Sequence, residues 1–305
     1  MTLVAGYPPE ERSKAVLHLA AMLARSLGED LVVATVVPRP WFPSMAKVDA
    51  EYQAHLDAQA DAALDQARSE LPDGVRATFV RRASRSVATG LLEAEPHDAS
   101  IIVVGSSSAG AFGHVVLGSV TDRLLHSSPI PVAMAPRGFR AKPGATVRRV
   151  TAAYDGGEAA GALVLTAAGV AARAGAALRL ASFAVWSRPS HAMRLGTEPE
   201  DAVLQVWLAE IRDSAGRALT RVKDLPAVPR DLGTVVGVGS SWVEALEDVE
   251  WDEGEVLVVG SSSVGPIAGV FLGTRSAKIV RHSPVPVLVV PRAGAAEVPD
   301  ISRQD

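Results

Sequence analysis

The strongest constraint in this sequence is that it repeats itself. Sliding it by 155 residues aligns IIVVGSSSAGAFGHVVLGSVTDRLLHSSPIPVAMAPR, residues 101–137, with VLVVGSSSVGPIAGVFLGTRSAKIVRHSPVPVLVVPR, residues 256–292, at 16 of 37 positions without a gap. The segments beginning at Leu3 and Val150 align at an offset of 147, which leaves an eight-residue insertion in the middle of the second copy. An internal duplication means that one fold has to be built twice. The 305 residues give each copy about the length of one ordinary domain, enough to bury its own core. The expected units are residues 1–139 and 146–292, with Phe139–Thr146 (FRAKPGAT) as linker and residues 293–305 as a flexible tail.

Within each copy, short β-branched runs alternate with longer Ala/Leu-rich segments of helical period. Strands are expected near Leu3–Ala5, Leu31–Val37, Arg76–Arg81, Ile101–Val104 and Val132–Ala135, and again near Val150–Ala153, Ala177–Ala184, Gly233–Gly237, Val256–Val259 and Val287–Val290. Helices in the first copy are expected over Glu10–Leu27, Ala46–Leu71, Val87–Glu95 and Ser119–His126. Near-continuous apolar strands with right-handed helical crossovers predict two doubly wound, five-stranded parallel α/β sheets, each in strand order 3-2-1-4-5. Strand five would then be an edge strand with an apolar face that something must cover.

Composition narrows the function classes. Thirty lysines and arginines against 34 acids give a net charge of -4, which offers no reason to expect nucleic acid as a partner. The absence of cysteine excludes disulfides, thiol nucleophiles and Cys-based metal centres. The start MTLVAGYPPEERSK lacks a basic region before an apolar run, so no secretory signal is read and a cytoplasmic protein is expected. Ala99–Thr121 and Val256–Thr274 are free of Asp, Glu, Lys and Arg, but their Ser triplets and glycines read as strand, loop and helix rather than membrane span. The histidines show no metal-ligand spacing, and no metal site is expected. His126 and His282 read as cations suiting helix C-termini, and the acid-rich stretch Glu244–Glu255 as a solvated helix and turn.

In an open α/β sheet the ligand crevice lies beyond the carboxyl ends of the strands, here the loops after strands one, two and four. Strand four leads into GSSSAGAFGHVVLGS or GSSSVGPIAGVFLGT. Small residues let the backbone approach a ligand, and amides at a helix start can hold an anion. Gly105–Gly110 and Gly260–Gly265 match the G-x4-G part of a phosphate loop, but Ala111 and Pro266 replace its lysine. No G-x-G-x-x-G follows strand one, and Ser107 lacks the glycines of a nucleophile elbow. No catalytic residue is assigned. Asp155 with Glu158 also reads as a D-x-x-E capping box, and Ser119 and Thr274 as N-caps.

On these residues each half resembles a universal stress protein domain, and the whole resembles a tandem member of that family. The family's loop, G-x2-G-x9-G-[ST], is matched by Gly105, Gly118 and Ser119 and by Gly260, Gly273 and Thr274, with Ser108 and Ser263 at the second glycine position. The Asp that often follows strand one is Asp155 in the second copy and Pro8 in the first; the basic residue four before the last glycine is His114 in the first and Gly269 in the second. The resemblance implies an adenine nucleotide alpha hydrolase-like fold and ATP or a related adenine nucleotide as ligand. It implies contacts from Asp155, Phe183, Gly260, Ser263, Gly265, Gly273 and Thr274, and from Gly105, Ser108, Gly110, Gly118 and Ser119. It also implies an internal pseudo-dimer, Pro131–Ala135 lying antiparallel to Pro286–Val290, with room for a further homodimer. The implied role is a nucleotide-responsive binding or signalling module in stress response, acting on an unknown protein partner. Two readings stand beside it. Ser108, Ser263 and Pro8 would fill the pocket of an interaction protein that binds no nucleotide, and a slow ATPase is the most that the missing lysine and general base allow.

Overall fold

The computed structural model describes residues 1–9, 14–39, 46–95, 98–107, 112–186, 198–261 and 273–291. The first half contains β1 (Thr2–Gly6), α1 (Lys14–Leu27), β2 (Asp30–Pro38), α2 (Ala46–Glu70), β3 (Ala77–Ser84), α3 (Val87–Leu92), β4 (Ala99–Gly105), α4 (Ser119–Ser127) and β5 (Val132–Ala135). The second contains β6 (Arg149–Ala153), α5 (Glu158–Arg173), β7 (Ala177–Val185), α6 (Glu198–Val222), β8 (Leu232–Gly239), α7 (Trp242–Glu247), β9 (Glu255–Gly260), α8 (Thr274–His282) and β10 (Val287–Val290). The tail, residues 293–305, lies outside the described residues.

Each half has the expected order 3-2-1-4-5, and the two sheets join edge to edge into one sheet of ten strands, β3-β2-β1-β4-β5-β10-β9-β6-β7-β8. Pairing is parallel within each half and antiparallel at the seam, where Val287, Leu288 and Val289 face Met134, Ala133 and Val132. The sequence explains the seam. VAMA and VLVV are buried at every position, so neither strand could be left as a bare edge. Their side chains alternate between the two faces of the sheet. Ala133, Ala135, Leu288 and Val290 enter one core, whereas Val132, Met134, Val287 and Val289 enter the other. Each core contains residues of both halves.

The linker is docked along α1. The Arg25 guanidinium donates to the Ala145 carbonyl at 2.7 Å, Ser26 Oγ accepts from the Val147 amide at 2.7 Å, and His18 Nδ1 meets the Ala141 backbone at 3.2 Å. Burial and the nearby Arg140 push the His18 pKa below the ordinary histidine value, so the neutral ring is favoured. Glu29, at the start of the next strand, is buried and pairs with Arg173 at the end of α5, while Ser100 donates to its other oxygen.

Glu255, read as part of a solvated acid stretch, is instead wholly buried at the start of β9. Arg179 Nη2 reaches it at 2.6 Å, Thr151 donates to it, and the Asp252 amide donates at 2.9 Å. The next two strands of the sheet on one side, β6 and β7, carry Arg149 and Arg179, which compensate a carboxylate that burial alone would exclude. Burial, then Arg281 and His114, push the His282 pKa below the ordinary histidine value. No described helix is long and apolar enough to cross a membrane.

Candidate functional site

At the carboxyl ends of β6, β7 and β9 the second half opens into a cavity of about 830 Å³. Its floor is the crevice predicted for a doubly wound sheet, where the chain leaves adjacent strands toward opposite faces. Tyr154 and Asp155 follow β6. The turn after them needs Gly156, whose φ of +78° is left-handed, to redirect the chain into α5. Asp155 Oδ1 accepts the Gly157 amide at 3.0 Å, and its other oxygen lies 3.8 Å from Arg275 Nη1 on α8. Gly157, not Asp155, is the cap residue of α5, so the D-x-x-E capping box is not formed. The aspartate sits one step too early and closes an Asx-type turn instead.

Ser182 on β7 donates to the Tyr154 carbonyl at 2.8 Å, and the Tyr154 hydroxyl lies 3.0 Å from Ser214 Oγ on α6. The second contact ties α6 to the segment that follows β6. The α6 residues Trp207, Ile211 and Ser214, spaced four and three apart and hence on one helix face, line the cavity with Glu210. Phe183 and Trp242 add aromatic surface from the other face of the sheet, both partly buried against the core that α8 also joins. Trp242 is held in place by the start of α7. The Ser241 hydroxyl accepts the Glu244 amide at 3.2 Å, and Glu244 accepts the Ser240 amide at 2.8 Å. The Ser240 hydroxyl, which donates to Glu244 at 2.7 Å, and then the Ser240 amide hold the Glu244 carboxyl below the usual carboxylate range. Helix α7 packs so closely on β8 that a Cβ at Gly237 would stand 2.0 Å from the Ala245 carbonyl oxygen.

A further part of the lining is small and polar. Gly260 and Ser261 end β9, and Gly273, Thr274, Arg275 and Ser276 open α8, with Ser276 Oγ donating to the Gly260 carbonyl at 3.1 Å. Gly273 and Gly118 are the cap positions of their helices, so Thr274 and Ser119 stand one residue inside and cap neither; no side-chain cap bond is made at either helix. The first amides of α8 therefore have no side-chain cap and face the cavity with a positive helix end.

The structure thus gathers Asp155, Phe183, Gly260, Gly273 and Thr274 around one cavity. Ser263 and Gly265, like Ser108 and Gly110, lie outside the described residues. Sequence reasoning missed Trp207, Glu210, Ser214, Trp242, Arg275 and Ser276. A signal existed for the first three in their common helix face, but which face looks at a ligand is decided by how α6 lies on the sheet.

The first half is built differently at the equivalent place. A Cβ on Gly105 would meet Val16 Cγ2 at 3.1 Å, a tight contact, so packing alone favours glycine there. On Gly260 it would meet Leu163 at 3.6 Å, an ordinary distance, so packing gives no reason for glycine in the second half. After β4, Ser106 Oγ accepts the Val116 amide at 2.7 Å and the Ser107 amide donates to the Val116 carbonyl at 2.9 Å. Gly118 and Ser119 follow directly. Pro8 stands where Asp155 stands, and Asp122 puts an acid into the first turn of α4, whereas α8 has none.

Comparison with known proteins agrees with this architecture. The model of the universal stress protein family matches residues 1–136 and again 146–291. Universal stress proteins of Mycobacterium tuberculosis and Mycobacterium bovis are each 38 % identical over 296 residues, covering 95 % of this chain and all of theirs. Among solved structures, a universal stress protein of Archaeoglobus fulgidus superposes with a TM-score of 0.59 at 20 % identity, covering 95 % of this chain and 98 % of that one. A Pseudomonas aeruginosa protein gives 0.57 at 15 % identity, covering 96 % and 93 %. At those identities the structural likeness speaks for the fold.

Proposed function

The chain belongs to the universal stress protein family as a tandem member, and on that premise we propose that it is a cytoplasmic, ATP-responsive binding module whose nucleotide site is in the second half. Members of the family commonly bind nucleotides and form dimers, and here the two halves pair within one chain. The observation that carries the reading is the cavity at the ends of β6, β7 and β9, which Gly260 lines. Packing does not require glycine at that position, since a Cβ there would meet Leu163 at an ordinary 3.6 Å, and the cavity's lining suits one class of molecule. Trp207, Phe183 and Trp242 offer faces to a planar base, Asp155 and Glu210 offer acceptors to hydroxyl or amino groups, and the start of α8 offers amides to phosphate. The volume of about 830 Å³ is in the range of ligand pockets of nucleotide size.

The residues divide the work by chemistry. The aromatic wall excludes water from the base, and the uncapped amides at Thr274 and Arg275 meet negative charge without needing a lysine. Among the described residues no side chain at the cavity is held as a general base toward an attacking water, and the reading is retention and sensing rather than turnover. Titration calorimetry with ATP tests it. The native chain should bind saturably, and Gly260→Val, which fills the cavity floor, should abolish binding without unfolding the protein. Asp155→Ala should weaken it. Unchanged affinity in both variants would remove the site, and binding lost instead on Gly105→Val would move it to the first half.

A further inference from the structure

The second site carries a charged residue that the duplicated loop does not call for. Helix α8 begins Thr274-Arg275-Ser276, and the equivalent helix α4 begins Ser119-Val120-Thr121. A cation in the first turn of a helix opposes the macrodipole, which favours anions there. Helix α4 follows the favourable pattern, with Asp122 in its first turn and His126 in its last. Helix α8 has no acid in its first turn and already ends in Arg281 and His282. Arg275 is therefore locally unfavourable for its own helix, and its position has to be accounted for by something outside it.

Two observations show what it faces. Arg275 lines the cavity. Its guanidinium also reaches across the opening to Asp155, at 3.8 Å, between side chains that are 72 % and 59 % exposed. That geometry is too long for a hydrogen bond and too wet for a strong ion pair, so the contact is weak and easily exchanged. The carboxylate is committed on its other side to the Gly157 amide, so it stays in place while the arginine is free to turn.

We propose that Arg275 is the phosphate-reading residue of the second site: it leans on Asp155 when the site is empty and transfers to the phosphate chain of a bound nucleoside polyphosphate. The proposal rests on the nucleotide reading above and adds a selectivity to it. Gly269 leaves that site without the basic residue found four positions before the last glycine, His114 in the first half, and Arg275 supplies the positive charge from the helix side of the loop. The transfer also releases Asp155, whose freed oxygen becomes available to the sugar or base of the same ligand. Occupancy by a polyphosphate and by a bare nucleoside would thus differ in both ends of the cavity.

The test compares ATP, adenosine and inorganic tripolyphosphate on the native full chain and on Arg275→Gln and Arg275→Lys. ATP should bind Arg275→Gln about ten-fold more weakly, the size of one lost charge-assisted contact. Adenosine should be unchanged within about two-fold, the ATP affinity should lose part of its salt dependence, and Arg275→Lys should restore part of the loss. Tripolyphosphate should bind the native chain measurably and Arg275→Gln more weakly. Equal losses for ATP and adenosine would mean that Arg275 only shapes the loop, and equal ATP affinity for native and variant chains would overturn the assignment. Failure of the native chain to bind ATP and adenosine at all would instead overturn the nucleotide reading, and this inference with it.

Discussion

Because both cores continue through the β5–β10 seam, truncating a seam residue in the second half should loosen the first. Leu288 is the most informative position. It is 1 % exposed, it lies between Ala133 on β5 and Val258 on β9, and its side chain enters the core that also holds Leu3, Val33 and Leu180. Leu288→Ala removes three carbons at about 0.8 kcal/mol each and leaves a cavity that the sheet can close only partly, which together cost about 3 kcal/mol. If the chain opens as one unit, amide exchange governed by global unfolding should speed up by roughly a hundred-fold in both halves. Hydrogen exchange read by mass spectrometry on peptides covering β1 and β6 reports the halves separately. Acceleration at β6 with β1 unchanged would show that the halves unfold independently and that the shared sheet does not couple them.

Further outcomes follow from individual contacts. Glu255→Gln should cost about 3–5 kcal/mol in urea denaturation, because it leaves Arg179 and Arg149 facing a neutral group in a buried setting; a change below about 1 kcal/mol would show that water reaches the cluster. Ser241→Ala should cost about 1 kcal/mol by losing the α7 cap and should also weaken ATP binding through Trp242, whereas Ser86→Ala, the same cap in the first half, should cost as much stability and leave binding alone. Stability should fall as pH drops below about 6.5, since His18 and His282 have folded-state pKa values depressed below their unfolded ones, so the unfolded chain takes up protons first. The decline should level off once the folded-state values are passed, and His18→Gln should flatten it; a curve that rises toward acid pH would contradict the burial assigned to both rings.

The strands were legible because burial on both faces leaves near-continuous apolar runs, and all ten expected strands lie within a few residues of those observed. The seam was legible for a related reason, since VLVV tolerates no exposed edge. Helix starts were less legible. At Gly118 and Gly273 the backbone takes the cap position that Ser119 and Thr274 seemed suited to fill, and local sequence alone does not distinguish a cap from the residue after it. Glu255 was misread because its partners, Arg149 and Arg179, are distant in sequence and meet it only through the order β9-β6-β7. The glycine-serine loop pointed to the correct end of the correct strand, but the walls contributed by α6 and α7 depend on helix placement that no motif encodes.

On the proposed reading, the second half holds an adenine nucleotide and the first does not. The most direct measurement is the nucleotide content of the chain itself: saturate it with ATP, remove the excess by gel filtration, denature it, and quantify the supernatant by chromatography. About one adenine nucleotide per chain is expected, falling to none in Gly260→Val and unchanged in Gly105→Val. Two per chain would refute the restriction to the second half, and none, with no saturable ATP binding by calorimetry, would refute the nucleotide site itself.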